Sequence, residues 1–205
     1  QQPHAVESLR RALVSGRLHH AYLFTGPPGV GKGLAAQGMA EALLCVAPAA
    51  DGDACGGCSP CLRARAGPHA DLHRVARVPK SDGTLAWQIK INQVRALQRA
   101  LSFKSFEGAR RVVLLFEPEK MNPATANALL KTLEEPAPWA YFILCTTETH
   151  KVPATIISRC QRFDFHRISP GDVQARLETV CHGEGVEAEP EALRAITRAA
   201  WGSLR

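Results

Sequence analysis

No apolar run in the 205-residue chain approaches the length that crosses a membrane. No basic–apolar–small leader pattern opens it, so we expect a cytoplasmic protein with no membrane partner. Internal repeats and low-complexity tracts are also missing, which leaves an ordinary globular chain with 45% hydrophobic and 21% charged residues. The length suits one sizeable core or two small domains. Charge is not extreme either. A formal +6 admits a nucleic-acid environment without requiring contact, because a solvated surface often carries as much.

A more informative absence lies in Phe24-Thr25-Gly26-Pro27-Pro28-Gly29-Val30-Gly31-Lys32-Gly33. The stretch follows the phosphate-loop pattern G-x-x-x-x-G-K-[ST] until its last position. Gly26, Gly29 and Gly31 let the backbone turn so that successive N–H groups point at phosphate oxygens. Lys32 supplies a point charge for the outer phosphates. The hydroxyl that would ligate Mg²⁺ is missing, because Gly33 stands there. The loop is therefore expected to hold phosphate better than metal. A chance Gly/Pro turn is the alternative, and the flanks argue against it. Ala21-Tyr22-Leu23-Phe24 reads as a buried strand, and residues 34–44 read as a helix. That order sets the loop at a helix N-terminus, where the dipole favours anions.

Four of the seven cysteines cluster, at Cys45, Cys55, Cys58 and Cys61, with the spacing C-x9-C-x2-C-x2-C. In a cytoplasmic protein this argues for metal before disulfide. Four thiolates make a closed tetrahedral site that suits structural Zn²⁺ and leaves no position for activating water. An iron–sulfur cluster can use the same C-x2-C steps and is the alternative. The expected task is to staple a surface insertion with little core of its own. Residues 56–60 carry no lysine, arginine or aromatic side chain, so a nucleic-acid surface is not evident there.

Elsewhere, helical spacing marks residues 6–18 and 89–101. Alternation suggests a strand over 71–78, and Arg111-Val112-Val113-Leu114-Leu115-Phe116 reads as a central parallel strand buried on both faces. Asn122 caps a helix running to about Glu134. A further buried strand, Tyr141-Phe142-Ile143-Leu144-Cys145, delivers Thr146 and Thr147 to the carboxyl end of the sheet, where ligands bind in open α/β folds. A short strand follows at 161–165. From Ser169 the pattern is helical, and the sequence stops inside that helical unit. Adjacent His19 and His20 point in different directions in an extended segment and make a poor metal pair.

Residues 26–32, Asn127-Ala128-Leu129-Leu130-Lys131-Thr132-Leu133-Glu134-Glu135-Pro136 and Ser158-Arg159-Cys160 together resemble the clamp-loader branch of the AAA+ ATPases, and the inserted four-cysteine module is similar to its bacterial members. The resemblance covers nearly the whole chain. It implies an α/β fold with a P-loop parallel sheet, flanking helices and a zinc-binding insertion over residues 1–166, then a small helical lid over 167–205. A C-terminal collar domain, usual in the family, is not among these residues. It also implies a five-subunit ring of motor subunits, a delta subunit and this chain, loading a sliding clamp onto primed DNA.

Motor members carry G-K-[ST] and an acidic pair after the central strand. Here Phe116 falls at the aspartate position and Glu117 at the glutamate position. With Gly33, that makes two losses at one metal site, so the pattern resembles the non-motor member. We expect no Mg²⁺ site and little hydrolysis, with residual ATP or phosphate binding through Lys32. Ser158-Arg159-Cys160 matches the motif whose arginine reaches a neighbour's ATP site, so Arg159 is expected to act in trans. A local surface salt bridge is its alternative. The resemblance also places Thr146-Thr147 at a sensor position and Arg205 in a second sensor segment, where it is expected either to face the phosphate cavity or to end the helix in solvent. Three other functions compete: an active motor of the same ring, a nucleic-acid-binding zinc module and a small-molecule P-loop kinase.

Overall fold

A computed structural model describes residues 2–200 and 202–203. Five parallel strands form one sheet in the order β2-β3-β4-β1-β5, with β1 at Ala21–Thr25, β2 at Leu72–Val75, β3 at Arg111–Phe116, β4 at Ala140–Thr146 and β5 at Gln161–Asp164. The central strands are apolar throughout because both faces are covered, and alternate residues sort to opposite sides. Leu23, Val113, Leu115, Phe142 and Leu144 join one core with α4 (Ile91–Leu101) and α5 (Pro123–Glu134). Tyr22, Phe24, Val112, Leu114 and Ile143 join the other, with α1 (Pro3–Ser15) and α2 (Lys32–Leu44). β5 is the polar edge, and Gln161, Arg162 and Asp164 are exposed.

The lid is α7 (Pro170–Gly183) against α8 (Pro190–Ala199), with Val173 and Leu193 buried between them. Ser169 caps α7 by accepting from the Asp172 N–H at 3.1 Å. Gly202 returns the chain to the sheet domain, where the Ile168 N–H donates to its carbonyl at 3.1 Å. Among the described residues, no helix is long and apolar enough to cross a membrane.

Several expectations shift. The first helix starts earlier and stops at Gly16, whose φ of 67° closes it, so Leu18 lies beyond it and Val14 is 60% exposed. The second strand ends at Val75, before Pro79 enters a small antiparallel bridge with Leu85. An unexpected helix, α3 (Ser59–Ala66), runs through the cysteine insertion, and a four-residue helix, α6 (Ala154–Ile157), precedes Arg159. His19 and His20 do not diverge: their rings stack with centroids 4.4 Å apart. Burial, and then the neighbouring His19, hold the His20 imidazole below its ordinary pKa.

Candidate nucleotide site and candidate zinc centre

β1 ends where the phosphate loop must begin. The Thr25 hydroxyl donates to Asp164, which ties the loop's root to the edge strand. Gly26 then has φ 140°, and a Cβ there would lie 2.2 Å from the Phe165 carbonyl oxygen. Only glycine fits so close an approach. Gly29 and Gly31 also have positive φ, at 76° and 98°, and Gly31 caps α2. The predicted loop therefore forms. Its lysine folds back on it, with Nζ donating to the carbonyls of Gly26 at 2.7 Å and Pro27 at 2.6 Å. The lid also reaches in: a Cβ on Gly29 would meet Ser203 Oγ at 1.7 Å.

The two positions that depart from the motor pattern in sequence meet in space. The nearest group to a Cβ built on Gly33 is Phe116 Cε1, at 3.7 Å. An aromatic ring edge thus stands beside the position where a hydroxyl would ligate metal. Glu117 is constrained too. It is the one non-glycine with positive φ among the described residues, at 55°, a conformation that costs about 1–3 kcal/mol unless its surroundings hold it. Its N–H donates to the Cys145 carbonyl at 3.0 Å, and Arg77 holds its carboxylate with two bonds of 2.7 and 2.8 Å. The carboxylate in the glutamate position is already engaged. Arg77 lies 40 residues away with no motif around it, and sequence reasoning missed it.

Thr146 is buried, and its hydroxyl donates to Glu119 at 2.7 Å and accepts from the Glu148 N–H at 3.0 Å. Thr147 is exposed at the strand's end. Arg205 lies outside the described residues. Arg159 is half-buried just past α6 and donates to Glu134 at 2.8 Å and to the Thr155 carbonyl at 2.8 Å. Glu134 therefore does more than end its helix. Surface pairs of this kind contribute about 0–1 kcal/mol, so a stronger anion can displace one.

The four predicted cysteines come together. Their sulfurs all lie within 4.8 Å of one another, and Cys45 Sγ is 3.9 Å from Cys58 Sγ. A disulfide needs about 2.05 Å. A tetrahedron of thiolates about 2.3 Å from one ion has edges of about 3.8 Å, so the donor set fits zinc. Backbone N–H groups support the sulfurs, from Cys55 to Cys45 Sγ at 3.4 Å and from Cys58 to Cys55 Sγ at 3.3 Å. Amides of Val46 and Cys61 lower the Cys58 thiol to about 6, whereas burial pushes the Cys61 thiol up to about 12. A bound cation would stabilise all four as thiolates and fix the fold of the insertion. Cys145 and Cys160 stand apart from the cluster, both raised to about 12 by burial.

The sequence model of the family described as "DNA polymerase III, delta subunit" matches residues 1–169, and that of the "DNA polymerase III clamp loader subunit, ATPase lid domain" matches 172–205. The chain belongs to the DNA polymerase III clamp-loader family of AAA+ proteins. Clamp-loader relatives include DNA polymerase III subunit tau of Bacillus subtilis, 35% identical over 204 residues, covering all of this chain and 35% of that protein. Subunit tau of Escherichia coli is 35% identical over 204 residues, with 30% of its length covered. The chain spans about a third of the length of these curated clamp-loader relatives. In solved structures the clamp-loader fold aligns with a gamma-subunit-related protein of Thermotoga maritima at TM-score 0.56 and 18% identity, over 87% of this chain and 50% of that one. It also aligns with the RuvB branch migration motor of the same organism at TM-score 0.61 and 17% identity, over 98% and 56%. At such identities these two likenesses speak to the fold alone.

Proposed function

We propose that this chain is the delta-prime-type, non-motor subunit of a bacterial clamp loader, with a silent ATPase site of its own. The observation that carries this reading is the Phe116 ring edge beside Gly33, where motor subunits need a hydroxyl and a carboxylate around Mg²⁺. Without the ion, charge developing on the transferred phosphoryl goes unneutralised. The engaged Glu117 and the Lys32 bonds to its own loop point the same way. In this reading residues 1–166 form the nucleotide-binding-like domain, with the zinc module at 45–61, and 167–205 form the lid. The subunit works in the cytoplasm within a hetero-pentameric ring beside the motor subunits and delta. Through that assembly it takes part in placing the sliding clamp on primed DNA, as part of the polymerase holoenzyme.

Arg159 is the residue assigned to work in trans. Release from Glu134 frees its guanidinium for a neighbour's γ-phosphate, where such fingers contribute about 10³-fold or more in rate. The test is ATP hydrolysis by the full-length protein alone, then mixed with its motor subunits, with wild type and Arg159→Ala. Silence alone and a large Arg159-dependent loss in the mixture support the proposal. Mg²⁺-dependent turnover by the protein alone overturns it in favour of a motor, the reading that the retained Gly26, Gly31 and Lys32 would serve.

A further inference from the structure

The cysteine insertion does not dangle from the sheet domain. Its loop is pinned to α1, where Arg10 Nε donates to Asp53 Oδ1 at 2.9 Å and the second guanidinium nitrogen reaches Asp53 Oδ2. Gly52, with φ 88°, is pressed so close that a Cβ would sit 3.1 Å from both Leu13 and Val14. On the other side Arg63 of α3 donates to Glu107 in the connection between α4 and β3. Between these attachments lies a groove made of two adjoining cavities, about 420 and 260 Å³, which share Pro48 and Arg110. Leu43, Val46 and Pro60 line the larger part, and Leu13, Val14 and Ala49 line the smaller. Val14 and Val46 are 60% and 67% exposed at its rims.

The charges in the groove do not balance. Asp71 is engaged by the N–H groups of Phe106 and Glu107, at 2.7 and 2.8 Å, and by Arg111 at 3.2 Å. Glu107 is engaged by Arg63. Arg110 has no carboxylate partner among the described residues, and its guanidinium rests over the Tyr141 ring at 5.8 Å. His69 adds a second unmet donor. Its side chain is 2% exposed, and its Nδ1 accepts from the Asp71 N–H at 3.0 Å, which places the ring proton on Nε2. That Nε2 has no hydrogen-bond partner among the described residues, and a carboxylate oxygen of Glu107 is 3.7 Å away. The groove is therefore apolar-walled and, among the described residues, short of one negative charge.

We infer that this groove binds an extended acidic–apolar peptide segment of a partner protein, with a carboxylate on Arg110 and apolar side chains against Pro48, Val46 and Val14. A nucleic acid fits less well. A phosphate chain needs cations spaced along its path, and this groove offers one free guanidinium between proline and aliphatic walls. The inference does not depend on whether the ATPase site is silent.

The test uses the zinc-loaded, full-length, ¹⁵N-labelled protein. It is probed with a defined library of short peptides carrying aspartate among leucine, valine and proline, with a matched library carrying lysine for aspartate, and with oligo(dT). Aspartate peptides should shift the amide signals of Val46, Ala49 and Gly108, and Arg110→Gln should weaken them about tenfold without changing zinc content. Ala49→Trp, which fills the smaller cavity, should block binding and carries the test should Arg110→Gln misfold. The inference is overturned when no aspartate peptide shifts those signals or the lysine library binds as well. It is equally overturned when oligo(dT) alone occupies the groove, or when both variants bind like wild type.

Discussion

The phosphate loop and the four-cysteine module are built in opposite ways. The loop has its full scaffold: a buried strand, three glycines at positive φ and the start of a helix. What it does not carry is a hydroxyl at Gly33 or a carboxylate at Phe116, two positions that stand side by side. The module has a complete ligand set and little core, since Cys61 and Ala64 are the buried residues of α3. A hydrophobic scaffold does not depend on its chemistry, because burial, not the ligand, holds it. With zinc bound, the module would not survive the loss of its ligands, because they would hold it in place of a core.

Removing the metal should break this contrast most strongly. Chelation, or Cys61→Ser, should unfold residues 45–67 while the sheet persists, costing several kcal/mol of local stability by analogy with small metal-held domains. Hydrogen exchange would show protection lost in that segment alone; global melting would make the module part of the core. Next comes the loop. Gly29→Ala puts a Cβ at φ 76° against Ser203 and should cost about 1–3 kcal/mol. Ser203→Gly in the same chain should restore part of it, read by thermal melting, because the lid contact is relieved and the φ strain stays.

The Gly33–Phe116 pair sharpens the comparison further. Gly33→Thr alone should leave Mg²⁺-dependent nucleotide binding unchanged, whereas Gly33→Thr with Phe116→Asp should raise it about tenfold, measured by calorimetry. Equal gains from the single change would mean that the ring does not obstruct the site. The smallest effect is acid sensitivity of the module's dock on α1. The bond from Arg10 holds the Asp53 carboxyl below its usual range. Its stabilisation is therefore present above the unfolded carboxyl pKa, about 3.9, and is lost as pH falls through the lower folded value. Exchange at the Gly52 amide should rise over that acid range in wild type and not in Asp53→Asn.

Much of the scaffold was legible because it rests on local pattern. Residues 111–116 are a strand because an uninterrupted aliphatic run buried on both faces has few other homes, and Asn122 caps α5 as its side chain permits, accepting from the Thr125 N–H at 2.8 Å. The cysteine spacing announced its cluster directly. α3 was not legible, since Ser59-Pro60-Cys61-Leu62-Arg63-Ala64-Arg65-Ala66 has no apolar stripe; Pro60 in its first turn and the arginines in its last were the available signals. The stacking of His19 on His20 and the Arg77–Glu117 pair had no sequence signature at all.

The sequence by itself determined the parallel sheet, the phosphate loop with its missing hydroxyl, the four thiols and the family. Each follows from covalent identity or from a periodicity that burial enforces over a few residues. The tertiary structure decided how side chains far apart in the chain meet. It set Phe116 beside Gly33, Arg77 on Glu117, Glu134 on Arg159 and Ser203 against Gly29. It also left Arg110 without a counter-charge among the described residues, between two attachments of the module. Such pairings depend on the crossing of elements in space, and Coulomb and contact forces act over a few ångströms regardless of separation along the chain.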